Sequence, residues 1–129
     1  MNTKRVLIVE DNEKNLKLLR DLLEVKGYLV VAAMSAEEGL PLAQANPPNL
    51  IVMDIGLPGM DGIAALQVLR ADARTRTIPV IAVTASVMQP ERETILKAGF
   101  DGYMRKPIDV MGFLALVQTT IEQFTQRGP

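Results

Sequence analysis

Five short apolar runs, each followed by a stretch with helical spacing, divide this chain from end to end. That alternation restricts what the chain can fold into more than any other feature. Val6-Leu7-Ile8-Val9 is continuous, rich in β-branched residues and bounded by charges, the pattern of a strand buried on both faces. Tyr28 to Ala32, Leu50-Ile51-Val52-Met53 and Ile78-Pro79-Val80-Ile81-Ala82-Val83 read as three more strands, and Gly102-Tyr103-Met104 as a weak fifth. Between and after them the apolar period changes from continuous to helical. Five βα units in sequence imply an α/β fold, a parallel sheet covered by helices on both faces.

The helices carry their own start and stop signals. Leu16, Leu19, Leu22 and Leu23 mark the buried face of the first, which Asp11 or Asn12 can cap and Lys26-Gly27 closes. Ser35-Ala36-Glu37-Glu38 is a capping box that opens the second. Pro41 removes a backbone donor inside it, so a kinked or shortened helix is expected there, with Asn46-Pro47-Pro48-Asn49 as its end. Asp61 is suited to cap a third helix through Leu66 and Leu69, and a fourth through Ile95 and Leu96 closes at Ala98-Gly99. Asp109 can cap a fifth with Phe113, Leu114, Val117 and Ile121 on its apolar face; residues 126–129 are expected to fray. The 129 residues suit one domain, 1–129, with no linker or repeat.

In open parallel sheets, sites form outside the carboxyl ends of the strands. The residues at those ends are Glu10-Asp11, Asp54, Thr84 and Lys106. If the first and third strands are neighbours, three carboxylates converge. Two like charges about 4 Å apart repel by about 4 kcal/mol at an effective dielectric of about 20, a heavy load for a fold of ordinary stability. A divalent cation removes it, and a small all-oxygen site with open water positions suits Mg²⁺, with Mn²⁺ as a substitute. Asp54 can then serve as a carboxylate nucleophile toward phosphorus. Lys106 supplies a compact positive charge, and the Thr84 hydroxyl and Ala85 backbone N–H supply donors.

Composition closes other routes. There is no cysteine and no histidine, so thiol chemistry, imidazole metal sites and a Ser-His-Asp triad are excluded, and any phosphohistidine donor must be another molecule. A formal net charge of -1 offers no basic field for nucleic acid. No apolar run is long enough for a signal-peptide core or a membrane span, so a cytoplasmic location is expected.

Taken together, Val6-Leu7-Ile8-Val9-Glu10-Asp11-Asn12, Met53-Asp54-Ile55-Gly56-Leu57-Pro58-Gly59-Met60-Asp61-Gly62, Val83-Thr84-Ala85 and Tyr103-Met104-Arg105-Lys106-Pro107 resemble the receiver domain of bacterial response regulators, the CheY-like superfamily. The resemblance covers essentially the whole chain. Any one motif is weak; all of them in order at this spacing are highly specific. With no output domain following, the chain is similar to stand-alone single-domain receivers, and the opening through Asn15, Lys17, Leu18 and Asp21-Leu22-Leu23-Glu24 resembles the DivK kind.

The resemblance implies a flavodoxin-like, doubly wound sheet of order 2-1-3-4-5. It implies that Asp54 is phosphorylated by a partner phosphohistidine, on a sensor histidine kinase or a histidine phosphotransfer protein, and slowly dephosphorylates itself. It implies that Mg²⁺ is held by Glu10, Asp11, Asp54 and the Gly56 backbone carbonyl, and that the Lys106–Pro107 peptide is cis. It further implies that Thr84 and Tyr103 move together, rearranging a protein-binding face built from the fourth helix, fifth strand and fifth helix. A monomer is the expected state. Gly56 and Ser86 stand where many relatives carry bulkier or charged groups, so the acyl phosphate is expected to be more open to water.

Plainer readings stand beside these. Asp54 could end a strand as a turn residue and Lys106 could be a solvated surface lysine, but their placement at matching strand ends tells against both. Tyr103 could be strand packing, and Arg92, Lys97 and Arg105 a solvated basic edge. A binding adaptor working without phosphorylation is the alternative function. An aspartyl phosphatase is disfavoured, because Gly56 stands where the second aspartate would be needed. Neither glycine-rich nucleotide fingerprint occurs.

Overall fold

The structure is a computed structural model that describes residues 3–85 and 89–127. Five strands, β1 (Arg5–Val9), β2 (Leu29–Ala33), β3 (Leu50–Asp54), β4 (Val80–Thr84) and β5 (Gly102–Arg105), alternate with five helices. The helices are α1 (Glu13–Val25), α2 (Ala36–Ala45), α3 (Gly62–Ala71), α4 (Gln89–Ala98) and α5 (Val110–Arg127). The strands form one sheet in the order β2-β1-β3-β4-β5, and every pairing is parallel.

Why the central strands read as unbroken apolar runs follows from the period of two. Leu7, Val9, Ile51, Met53, Val80 and Ala82 point to one face and pack with α2, α3 and α4 through Leu40, Leu66, Leu69 and Ile95. Val6, Ile8, Leu50, Val52, Ile81 and Val83 point to the other and pack with α1 and α5 through Leu19, Leu23, Phe113 and Val117. Each side chain of the inner strands therefore leaves water on one face or the other.

The caps account for the helix limits. Asn12, rather than Asp11, caps α1 by accepting from the Asn15 N–H at 3.0 Å. Gly27 takes φ +92° after its last turn. Ser35 caps α2, Asp61 caps α3, and Asp109 accepts from the Gly112 N–H at the start of α5. Helix α2 passes through Pro41 and is not shortened there. That residue is exposed, so the turn lacking a donor lies on the solvent side.

Several strands extend a residue beyond the sequence reading, as β1 does at Arg5 and β5 at Arg105, while β2 and β4 start later than expected. β2 starts one residue later because the Tyr28 N–H bonds the Leu23 carbonyl and completes the helix end. β4 starts at Val80, not Ile78: the Ile78 N–H closes a turn onto the Thr75 carbonyl, and Pro79 has no N–H to offer a ladder. The Val80 N–H instead donates to Asp101 Oδ2 at 2.8 Å, beside the ion pair between Asp101 and Arg70. Helix α5 includes two of the four residues expected to fray, while Gly128 and Pro129 lie outside the described residues.

Phe113 is fully buried where α5 meets the sheet. Phe113→Ala should lower the unfolding free energy by about 3–5 kcal/mol, read from the urea midpoint at unchanged slope.

Candidate functional site

Parallel pairing decides what meets at the carboxyl edge. The β1–β3 register sets Val9 beside Met53, and the β3–β4 register sets Asp54 beside Val83, so the residues that follow β1 and β4 flank Asp54. The β4–β5 register sets Thr84 beside Arg105, and the Lys106 N–H donates to the Thr84 carbonyl at 2.8 Å. Chain segments far apart in sequence are thereby brought to one end of the sheet. They line an open pocket that includes Asp11, Asp54, Gly56, Thr84, Ala85 and Lys106.

Lys106 lies across the acidic residues. Its Nζ is 3.1 Å from Asp54 Oδ2 and 3.0 Å from Glu10 Oε1. Asp54 Oδ1 accepts from the Gly56 N–H at 2.9 Å, and Glu10 Oε2 from the Asn12 N–H at 3.1 Å. Glu10 is only 1% exposed and Asp54 5%, whereas Asp11 is open to solvent. The Asn12 contact was not read from the sequence; it comes from the backbone turning into α1.

Burial pushes the Glu10 carboxyl up to about 7, with the Asp54 carboxylate adding to the effect. The Asn12 N–H and Lys106 oppose it but do not cancel it. Burial works to lower the Lys106 pKa, but the two carboxylates outweigh it and hold the ammonium above its usual range.

The residues fit a divalent cation. Glu10, Asp11 and Asp54 each offer an oxygen atom, and those atoms lie within 4.8 Å of one another. Glu10 Oε1 is buried and makes no hydrogen bond, although Lys106 stands at ion-pair distance. A buried carboxylate oxygen without a hydrogen bond, next to two further carboxylates, is a donor set for a hard ion that takes oxygen ligands.

Thr84 is 5% exposed at the end of β4, and Ala85 follows it at the pocket wall. Tyr103 is half-buried against the α2–α4 side of the core, with the Arg92 guanidinium 5.4 Å above its ring. Arg92, expected to be simply solvated, is thus a cation–π partner, a contact that depends on how α4 crosses β5. The Lys106–Pro107 peptide is cis. Ser86 lies outside the described residues. A side chain at Gly56 would begin 3.7 Å from Asp54 Oδ1, so that flank of the carboxylate carries no side-chain cover.

A family model for the response regulator receiver domain matches residues 6–118. The chain belongs to the response regulator receiver family. The polar-differentiation response regulator DivK of Brucella ovis is 45% identical over 117 residues, covering 91% of this chain and 95% of that protein. The receiver domain of a sensor histidine kinase from Pseudomonas aeruginosa, crystallised with magnesium in its active-site cleft, superposes with a TM-score of 0.86 at 31% identity. It covers 94% of this chain and 99% of its own. A CheY-like receiver protein from Methanospirillum hungatei gives a TM-score of 0.90 at 30% identity, over 98% of this chain and all of its own.

This receiver is accordingly a DivK-like member of the two-component signalling family, and its three clustered carboxylates could hold a divalent cation. The described residues include no helix long and apolar enough to cross a membrane.

Glu10 makes the stability of the fold depend on pH. Its folded pKa of about 7 exceeds the ordinary glutamate value of 4.5, so without metal the folded state binds more protons between those limits. The stabilisation from neutral Glu10 is complete below the lower value and lost as pH rises through the upper one. Without metal, the urea midpoint of the wild type relative to Glu10→Gln should fall as pH rises from about 5 to 8. Added Mg²⁺ should reverse the trend, because the ion favours the carboxylate.

Proposed function

We propose that Asp54 accepts a phosphoryl group from a phosphohistidine on a sensor histidine kinase or a histidine phosphotransfer protein. An Asp54 carboxylate oxygen attacks phosphorus as the bond from phosphorus to the histidine nitrogen breaks, and the imidazole leaves with the electron pair. Attack by water on the acyl phosphate later returns the carboxylate and releases inorganic phosphate. The observation that carries this reading is the Lys106 ammonium between Glu10 and Asp54, at 3.0 and 3.1 Å, at the edge of an open pocket.

Glu10, Asp11, Asp54 and the Gly56 carbonyl would hold Mg²⁺. When bound, the ion neutralises charge on the transferring phosphoryl oxygens. Lys106 orients Asp54 before transfer and then offers its charge to a phosphate oxygen. The Thr84 hydroxyl and the Ala85 N–H donate to the others. The small residue Gly56 gives water access to the acyl phosphate.

The reading extends to a single receiver domain over residues 1–129 that works as a cytoplasmic monomer. It does not turn over an external substrate beyond its own phosphorylation and dephosphorylation. Movement of Thr84 toward the phosphoryl group draws Tyr103 with it and alters the face formed by α4, β5 and α5, where a protein target binds. A net charge of -1 supports a protein target over nucleic acid.

Incubation with acetyl phosphate and Mg²⁺ should add one phosphoryl group by intact mass. Asp54→Asn and chelation of the metal should each abolish the adduct. Labelling that survives Asp54→Asn would refute the assignment. Partner affinity that ignores the same substitution would favour a phosphorylation-independent adaptor.

A further inference from the structure

The loop between β3 and α3 carries Gly56, whose carbonyl would face the metal, so what fixes this loop bears on the chemistry. Its far end is fixed by backbone packing. The Gly62 N–H donates to the Ile55 carbonyl at 3.0 Å. A Cβ on Gly62 would come within 2.6 Å of the Asp54 carbonyl oxygen and 2.8 Å of Ile55 Cα. Leu57 is buried, and Met60 packs on the core from the partly buried side. The backbone between these anchors turns through Gly59 at φ +73°, a conformation that side chains other than glycine rarely adopt.

One side chain from outside the loop reaches that turn. Glu37, in the first turn of α2, accepts from the Met60 N–H through Oε2 at 3.2 Å, across 23 positions of sequence. The same oxygen lies over Gly59, where an added Cβ would be only 2.7 Å from it. Glu37 stands two residues after the cap Ser35, where the helix end favours a negative charge. Neither Lys106 nor any other cation is at ion-pair distance from Glu37 among the described residues, so the backbone N–H is the contact that fixes it.

The structure assigns to Glu37 the role of a positioning residue: it braces the β3–α3 loop so that Gly56 is held where the metal is bound. This rests on the reading of Glu10, Asp11, Asp54 and the Gly56 carbonyl as the metal site. The carboxylate acts as a hydrogen-bond acceptor; its charge is not the operative property. Without the brace the loop samples more positions, and metal binding must order it again.

The test is Mg²⁺ affinity by calorimetric titration of the full chain, for wild type, Glu37→Ala and Glu37→Gln, with thermal unfolding of each measured without metal. Glu37→Ala should bind Mg²⁺ several-fold more weakly, with faster exchange of the Met60 amide hydrogen. Glu37→Gln keeps an oxygen acceptor and should recover most of the affinity and of the amide protection. Gln as weak as Ala would mean that charge, not the hydrogen bond, matters, and would overturn the assignment. Unchanged affinity in Glu37→Ala would overturn it too, as would a loss of affinity with the Met60 amide still protected. Asp54→Asn distinguishes the two levels of the argument. If it leaves Mg²⁺ affinity intact, the metal-site reading fails and the Glu37 role with it. If it lowers affinity while Glu37→Ala does not, only the Glu37 role fails.

Discussion

An ammonium group set between two buried carboxylates is the interaction on which the functional end of this molecule depends. Glu10 and Asp54 are almost wholly removed from water, and Lys106 lies within 3.1 Å of both. A single positive charge cannot neutralise Glu10, Asp54 and the adjoining Asp11. Burial first, and the neighbouring Asp54 second, raise the Glu10 carboxyl to about 7, and its Oε1 makes no hydrogen bond. Such an arrangement is costly if left alone. A divalent cation at these oxygens would offset that cost.

The rest of the fold exists to hold that edge in place. Alternating side chains of the inner strands feed two separate cores, one under α1 and α5 and one under α2, α3 and α4. With both faces closed, a one-residue slip in register would carry each side chain to the wrong core. Register in turn fixes which residues emerge beside Asp54. Packing on both sides of the sheet thus has a chemical result: it sets the height at which Glu10, Thr84 and Lys106 leave their strands. The long-range contacts around Arg70, Asp101 and the Val80 N–H belong to the same task at the opposite end, where β4 enters the sheet.

Much of the site was legible because its residues sit at strand ends, and strand ends could be read from apolar runs. Glu10, Asp11, Asp54, Thr84 and Lys106 were found in that way, and the structure gathers them in one place. The helix caps were equally local, since Ser35, Asp61 and Asp109 act within three residues of their own position. Less local contacts were not legible. Arg92 looked like any exposed arginine until α4 was laid against β5 and brought it over Tyr103. Glu37 looked like the interior of a capping box, whereas its side chain serves a loop 23 residues away. The limits of β2 and β4 shifted because Tyr28 and Ile78 spend their N–H groups on neighbouring turns.

The linear order of apolar and helical periods by itself determined the α/β class, the parallel sheet and which residues stand at the strand ends, because periodicity and capping are properties of short segments. Tertiary structure alone decided which carboxyl of the site would be raised, which of its oxygens would lack a hydrogen bond and which side chain would accept from the Met60 N–H. Those outcomes depend on how much water is excluded and on distances between segments far apart in the chain. Neither quantity exists until the two cores have closed around the sheet.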